Sequence, residues 1–136
     1  MAVVEIPYGP RGAFLPFHNR RERWACLVAH RRAGKTVAAV NDEIKEAMRS
    51  KGTPYAYVAP YRSQAKAVAW DYFKWYGRPV IRKVNEAELK VEFVNDSTVQ
   101  LFGADNADAM RGLGFGGVYC DEYGDFRPSV WGNVIR

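Results

Sequence analysis

The run Trp24-Ala25-Cys26-Leu27-Val28-Ala29 is apolar throughout and passes without a break into His30-Arg31-Arg32-Ala33-Gly34-Lys35-Thr36. An apolar run without polar alternation suits a strand buried on both faces of a parallel sheet. From Lys35 to about Arg49, Val37, Val40, Ile44, Ala47 and Met48 recur at helical spacing, which predicts a helix with one buried face. A basic, glycine-bearing loop between a buried strand and a helix turns successive backbone N–H groups inward as an anion nest. The helix N-terminus adds its partial positive charge to that nest.

The loop follows the pattern G-x-x-x-x-G-K-[ST], with Ala29 in place of the first glycine. Each position has a chemical reason. Gly34 lets the backbone approach a phosphate closely. Lys35 can reach the β- and γ-phosphates of ATP, and the Thr36 hydroxyl can bind Mg²⁺. His30, Arg31, Arg32 and Ala33 complete the cradle. Arg31 and Arg32 either offset triphosphate charge, one acting as an arginine finger, or face solvent or pair with acidic neighbours.

A second feature lies downstream. Gly117-Val118-Tyr119-Cys120 is a short apolar strand that ends in Asp121-Glu122. Behind a buried strand and after a phosphate loop, Asp121 is expected near the metal, through water, and Glu122 is free to polarise an attacking water.

Between these features, Tyr55–Ala59 reads as a strand closed by Pro60, followed by a helix capped by Ser63 and running to about Tyr76. Residues 89–94 and 98–102 alternate around Asn95-Asp96-Ser97, predicting a hairpin. A short helix is expected over 104–110, and Pro128 starts a last helical stretch. Residues 1–20, rich in Pro, Gly and Arg, read as an irregular arm. The element order is that of an α/β protein with a mostly parallel sheet, in which ligands bind at the carboxyl ends of strands. Both candidate motifs fall at such ends.

Composition narrows the class of partner. The chain of 136 residues is enough for one modest domain. Aromatics at 14% argue against disorder. The net charge of +5 leans towards a polyanion, and Arg11, Arg20, Arg21, Arg23, Arg31, Arg32 and Lys35 face only Glu5 and Glu22 in the early chain. Cys26 and Cys120 stand apart from any Cys/His cluster and read as buried free thiols in a reducing compartment. No apolar run is long enough for a membrane helix and the start lacks a signal-peptide core, so the expected setting is cytosolic.

The paired motifs resemble the additional-strand, catalytic-glutamate branch of P-loop NTPases. The connecting sequence is similar to the large terminases of tailed phages: the loop His30–Thr36, the segment Tyr57-Val58-Ala59-Pro60-Tyr61-Arg62-Ser63-Gln64-Ala65-Lys66, and Leu101–Ala104 through Met110–Phe115 leading into the acidic pair. The resemblance implies an ATP- and Mg²⁺-dependent motor that threads double-stranded DNA into a procapsid in the host cytoplasm. It implies a portal protein and a small terminase subunit as partners, and a homo-oligomeric ring. It also implies that Arg31 senses or stabilises the γ-phosphate, that Arg111 reaches a neighbouring subunit's nucleotide, and that Glu122 is the catalytic glutamate. Arg20, Arg21, Lys66 and Lys74 are DNA-contact candidates, and Arg11, Phe14 and Phe17 are adenine-contact candidates, since the usual glutamine is missing before the loop.

The family continues with a coupling strand and a nuclease domain. The chain, with a P-loop core over 24–136, is therefore expected to be an N-terminal part with an incomplete central sheet. Other readings are a helicase-type DNA-stimulated ATPase, or a nucleotide- or DNA-binding module without turnover.

Overall fold

A computed structural model describes residues 8–9, 14–21 and 34–122. The expected strand at 24–29, the loop residues 30–33 and the stretch after Pro128 lie outside the described residues. A short helix, α1 (Leu15–His18), interrupts the arm, whose composition predicts irregular backbone. Helix α2 spans Lys35–Arg49, as the apolar periodicity predicts. Its register buries Val40, Ile44 and Ala47 against the sheet.

Five strands form one open sheet in the order β2-β3-β4-β1-β5. They are β1 (Pro54–Ala59), β2 (Ile81–Asn85), β3 (Lys90–Phe93), β4 (Thr98–Gly103) and β5 (Gly117–Cys120). Strand β1 is flanked on both sides by parallel partners, β4 with Tyr57 opposite Leu101 and β5 with Tyr57 opposite Tyr119. That placement explains its continuous apolar sequence, because both faces are covered. Tyr55, Tyr57 and Ala59 point into the larger core, beneath α2, and Ala56 and Val58 into a second cluster with Phe102, Ala104 and Met110. The period-two alternation of a strand divides the two. The fold is thus mixed α/β, parallel through β4-β1-β5 and antiparallel in the hairpin edge β2-β3-β4.

The hairpin of β3 and β4 forms with Val91 opposite Val99. Its turn does more than reverse the chain. Asn95 Nδ2 donates to the Ala47 carbonyl at 2.9 Å, Ser97 Oγ donates to the Ser50 carbonyl, and the Thr53 amide donates to Ser97 Oγ at 3.1 Å. Carbonyls freed at the end of α2 are satisfied there, so helix end and hairpin turn are fixed together. Strand β2 has no counterpart in the sequence pattern. It pairs antiparallel with β3 and keeps Arg82, Lys83 and Val84 exposed, as suits an edge protected by charge.

Helix α3 is continuous through three stretches, α-helical over Arg62–Ala65, π-helical over Lys66–Trp70 and α-helical again over Asp71–Gly77. Ser63 does not cap it. Tyr61, in extended backbone, occupies the cap position without a side-chain hydrogen bond, and Ser63 lies inside the first turn. The start of α3 comes so close to the end of β4 that a Cβ on Gly103 would sit 2.3 Å from the Arg62 nitrogen and 2.3 Å from Asp105 Oδ1. Gly103→Ala is therefore expected to destabilise the fold by about 1–3 kcal/mol, an overpacking cost, read as a lower urea midpoint. An unchanged midpoint would rule out this tight approach.

The stretch Ala104–Met110 is a 3₁₀ helix broken at Asn106. Among the described residues β5 pairs with β1 alone, and no helix is long and apolar enough to cross a membrane.

Candidate nucleotide site

Three elements converge at the carboxyl end of β5. Gly34 precedes α2 in left-handed backbone, φ 89°, which glycine adopts without a Cβ penalty. The first intrahelical bond runs from the Ala38 amide to the Gly34 carbonyl at 2.9 Å. The amides of the first turn therefore lack intrahelical acceptors, which suits them to an anion. On the opposite side, the Asp121 amide donates to the Val58 carbonyl at 2.8 Å, extending the β1–β5 ladder just past β5. This rung fixes the backbone of the first acid.

The side chains then meet. Thr36 Oγ1 donates to Asp121 Oδ2 at 3.4 Å, and the Tyr57 hydroxyl donates to the same oxygen at 2.7 Å. Burial pushes the Tyr57 phenol well above its usual range, and the charge of Asp121 adds to the rise, so Tyr57 remains a donor across ordinary pH. Glu122 follows at φ 53°, a left-handed conformation that is rare for glutamate, and is exposed. Backbone strain of this kind clusters at functional sites. The result is one partly buried acid tied to the helix and one acid turned out to solvent.

Thr36 and Asp121 supply hard oxygen donors of the kind Mg²⁺ accepts. That ion commonly takes only one or two carboxylates and completes its shell with phosphate and water. Among the described residues there is no cluster of three or more His, Cys, Asp or Glu side chains suited to a metal, so a richer protein cage is not built there.

The other expected residues are placed unevenly. Arg111 is exposed, and its Nε pairs with Asp108 Oδ1 at 2.8 Å within its own turn. His30, Arg31, Arg32 and Ala33 lie outside the described residues, as do Arg11 and Cys26. Phe14 is buried, and its Cε2 would lie 3.5 Å from a Cβ at Gly34, which sets an aromatic ring beside the loop. Phe17 is covered by Arg20, whose guanidinium carbon is 4.3 Å from the ring centroid. Lys74 is engaged by Glu86 at 3.0 Å and Asp71 at 3.5 Å. Lys66 is exposed. Cys120 is a free thiol, half-buried rather than fully buried, and desolvation pushes its pKa up to about 12.

Sequence reasoning missed a buried polar stretch on α2, Asn41-Asp42-Glu43. Asp42 gathers Arg20 at 2.9 Å, His18 at 3.1 Å, Lys45 at 3.3 Å and the Tyr119 hydroxyl. Burial would raise its pKa, yet hydrogen bonding from Tyr119, the Arg20 charge and hydrogen bonding from His18 together hold it below the usual carboxylate range. His18 is held in turn by the Tyr8 hydroxyl at 2.8 Å. This network fastens the arm to α2 and to β5. Glu43, next to it, is fully buried, and among the described residues neither carboxyl oxygen has a hydrogen-bond partner. Helical spacing was the available signal, because Glu43 falls on the stripe of Val40 and Ala47.

No protein-family model and no curated protein matches the sequence. Solved structures do match. The large terminase ATPase domain of Thermus phage P74-26 superposes with a TM-score of 0.80 at 23% identity over 96% of this chain. A mutant form of that domain gives 0.77 at 22% identity, also over 96%. The large terminase of another thermophilic bacteriophage gives 0.65 at 19% identity over 74% of this chain and 27% of its own. The chain spans 60% of the length of the P74-26 domain. These likenesses establish the fold.

Proposed function

We propose, from the fold shared with phage large terminase ATPase domains, that this chain is the nucleotide-binding part of a DNA-packaging motor. The observation that carries the reading is the meeting of Thr36 and Asp121 at the carboxyl ends of the parallel strands. That is where open α/β sheets bind ligands. The triphosphate of ATP lies on the loop His30–Thr36, with the amides at the start of α2 and the Lys35 ammonium against its oxygens. Thr36 and Asp121 hold Mg²⁺, which when bound neutralises phosphate charge. Glu122, exposed beside the site, orients and polarises the attacking water.

Arg31 stabilises the γ-phosphate in this reading, and Arg111 reaches a neighbouring subunit in a homo-oligomeric ring. Arg111 is exposed and bound only within its own turn among the described residues, so a partner's nucleotide can compete for it. In the whole protein, hydrolysis drives double-stranded DNA into a procapsid in the host cytoplasm, with a portal protein and a small terminase subunit as partners.

The test is calorimetric titration of ATP with Mg²⁺ into the purified chain. Lys35→Ala is expected to weaken binding roughly 10- to 100-fold, the loss of hydrogen bonds to a charged group worth about 1.5–3 kcal/mol. Equal affinity in wild type and Lys35→Ala would overturn the site. Phosphate release above that of Glu122→Gln assigns turnover to this chain. Tight binding with no excess release assigns it the role of a binding module instead.

A further inference from the structure

The sequence motifs give Asp121 a role but leave open what aims its carboxylate. A carboxylate at the end of a strand rotates about its side-chain bonds unless something fixes it. Thr36 reaches Oδ2 at 3.4 Å, the weak end of hydrogen-bond geometry, whereas Tyr57 reaches the same oxygen at 2.7 Å. Tyr57 is itself enclosed by packing. It is 1% exposed, its ring stands edge-on to Phe73 with centroids 5.6 Å apart, and its strand is paired on both sides.

We propose that Tyr57 is the positioning residue of the nucleotide site: its hydroxyl holds Asp121 Oδ2 and so presents Oδ1 to the cation side of the site. This inference rests on the nucleotide reading above and adds to it a part played by β1. The charge-assisted bond keeps the carboxylate plane fixed before any cation arrives. It also frees the Thr36 hydroxyl oxygen, which is not needed to hold Asp121, for the cation. Preorganised support of this kind tunes a metal site without touching the metal. The ring lies in the larger core against Phe73 of α3, so the hydroxyl reaches Asp121 from a packed base.

Tyr57→Phe keeps the ring and removes only the hydroxyl. Binding of ATP to the full chain is followed by calorimetry, first with a chelator present and then across a Mg²⁺ titration. The expected result is unchanged ATP affinity without Mg²⁺ and a Mg²⁺ midpoint raised roughly 10-fold or more, the scale of one lost hydrogen bond to a charged group.

A Mg²⁺ midpoint equal to wild type would overturn the role of Tyr57 and leave the nucleotide reading standing. So would a loss of affinity of equal size with and without Mg²⁺, which a merely structural role produces. Wild-type binding that ignores Mg²⁺ would overturn the metal site itself, and Tyr57's role with it. Should Tyr57→Phe fail to fold, the ring-carbon resonance next to the Tyr57 hydroxyl in wild type carries the same test. A shift is expected when Mg²⁺ joins the ATP complex, and an unmoved resonance overturns the proposal.

Discussion

Asp42→Ala is expected to cost about 3 kcal/mol of stability at neutral pH, the lower end of the loss seen when one partner of a buried ion pair is removed. Asp42 is fully buried and holds Arg20, His18, Lys45 and Tyr119 together. The lower end applies because Arg20 and Lys45 keep 20% and 31% of their side-chain exposure and regain water readily. Its pH dependence has a definite sign. The folded pKa of Asp42 is depressed, so its stabilisation is present above the unfolded carboxylate value and is lost as pH falls through the folded value. Wild type and Asp42→Ala should therefore differ most above about pH 5 and converge in acid. Urea denaturation at neutral pH and near pH 3 reads both quantities. The same substitution should unfasten the arm, so trypsin cleavage after Arg20 should quicken well before global unfolding. Equal cleavage rates would show that the network does not hold the arm.

Glu43→Met is expected to do the opposite and stabilise the chain by about 1–4 kcal/mol near neutral pH, as replacement of buried polar groups by apolar ones of similar volume often does. Both carboxyl oxygens of Glu43 are buried without a partner among the described residues, and desolvation, with the neighbouring charge of Asp42, holds its pKa well above the ordinary value. In the unfolded chain the same group ionises from about pH 4.3. Stability contributed by the neutral form is thus complete below that value and falls as pH rises, by up to about 1.4 kcal/mol per pH unit, until the folded pKa is passed. The gain from Glu43→Met should accordingly grow between pH 5 and pH 8. A gain of the same size at both ends of that window would mean that Glu43 does not stay protonated in the fold.

What could be read from the sequence follows from how local each signal is. The helical stripe Val37, Val40, Ile44, Ala47 and the alternation of 89–94 and 98–102 are short-range patterns, and α2 and the β3–β4 hairpin form where they lie. Thr36 and Asp121 are legible as a pair because a helix start and a strand end each carry a chemical signature. β2 is hidden because its core-facing content is slight. Arg82, Lys83 and Val84 are all exposed, and an edge strand needs no apolar alternation to pair. Tyr57 reads only as strand, because a phenol's partner is decided by which strand end lies beside it. Asp42 is silent for the same reason, its partners arriving from the arm and from β5.

The order β2-β3-β4-β1-β5 also dictates a sequence in time. The strands β2, β3 and β4 close through the short turns 86–89 and 94–97, so little chain entropy opposes them. β1 must instead find β4 across α3 and the whole meander, with Pro54 opposite Thr98, and β5 must then find β1, with Tyr55 opposite Gly117. Contacts between residues far apart in sequence form slowly. The meander is thus expected to form first, and the β1–β5 ladder, whose last rung is the amide of Asp121, to close late. Asp121 meets Thr36 and Tyr57 only once that pairing has formed, so a half-folded chain lacks the junction of these three side chains.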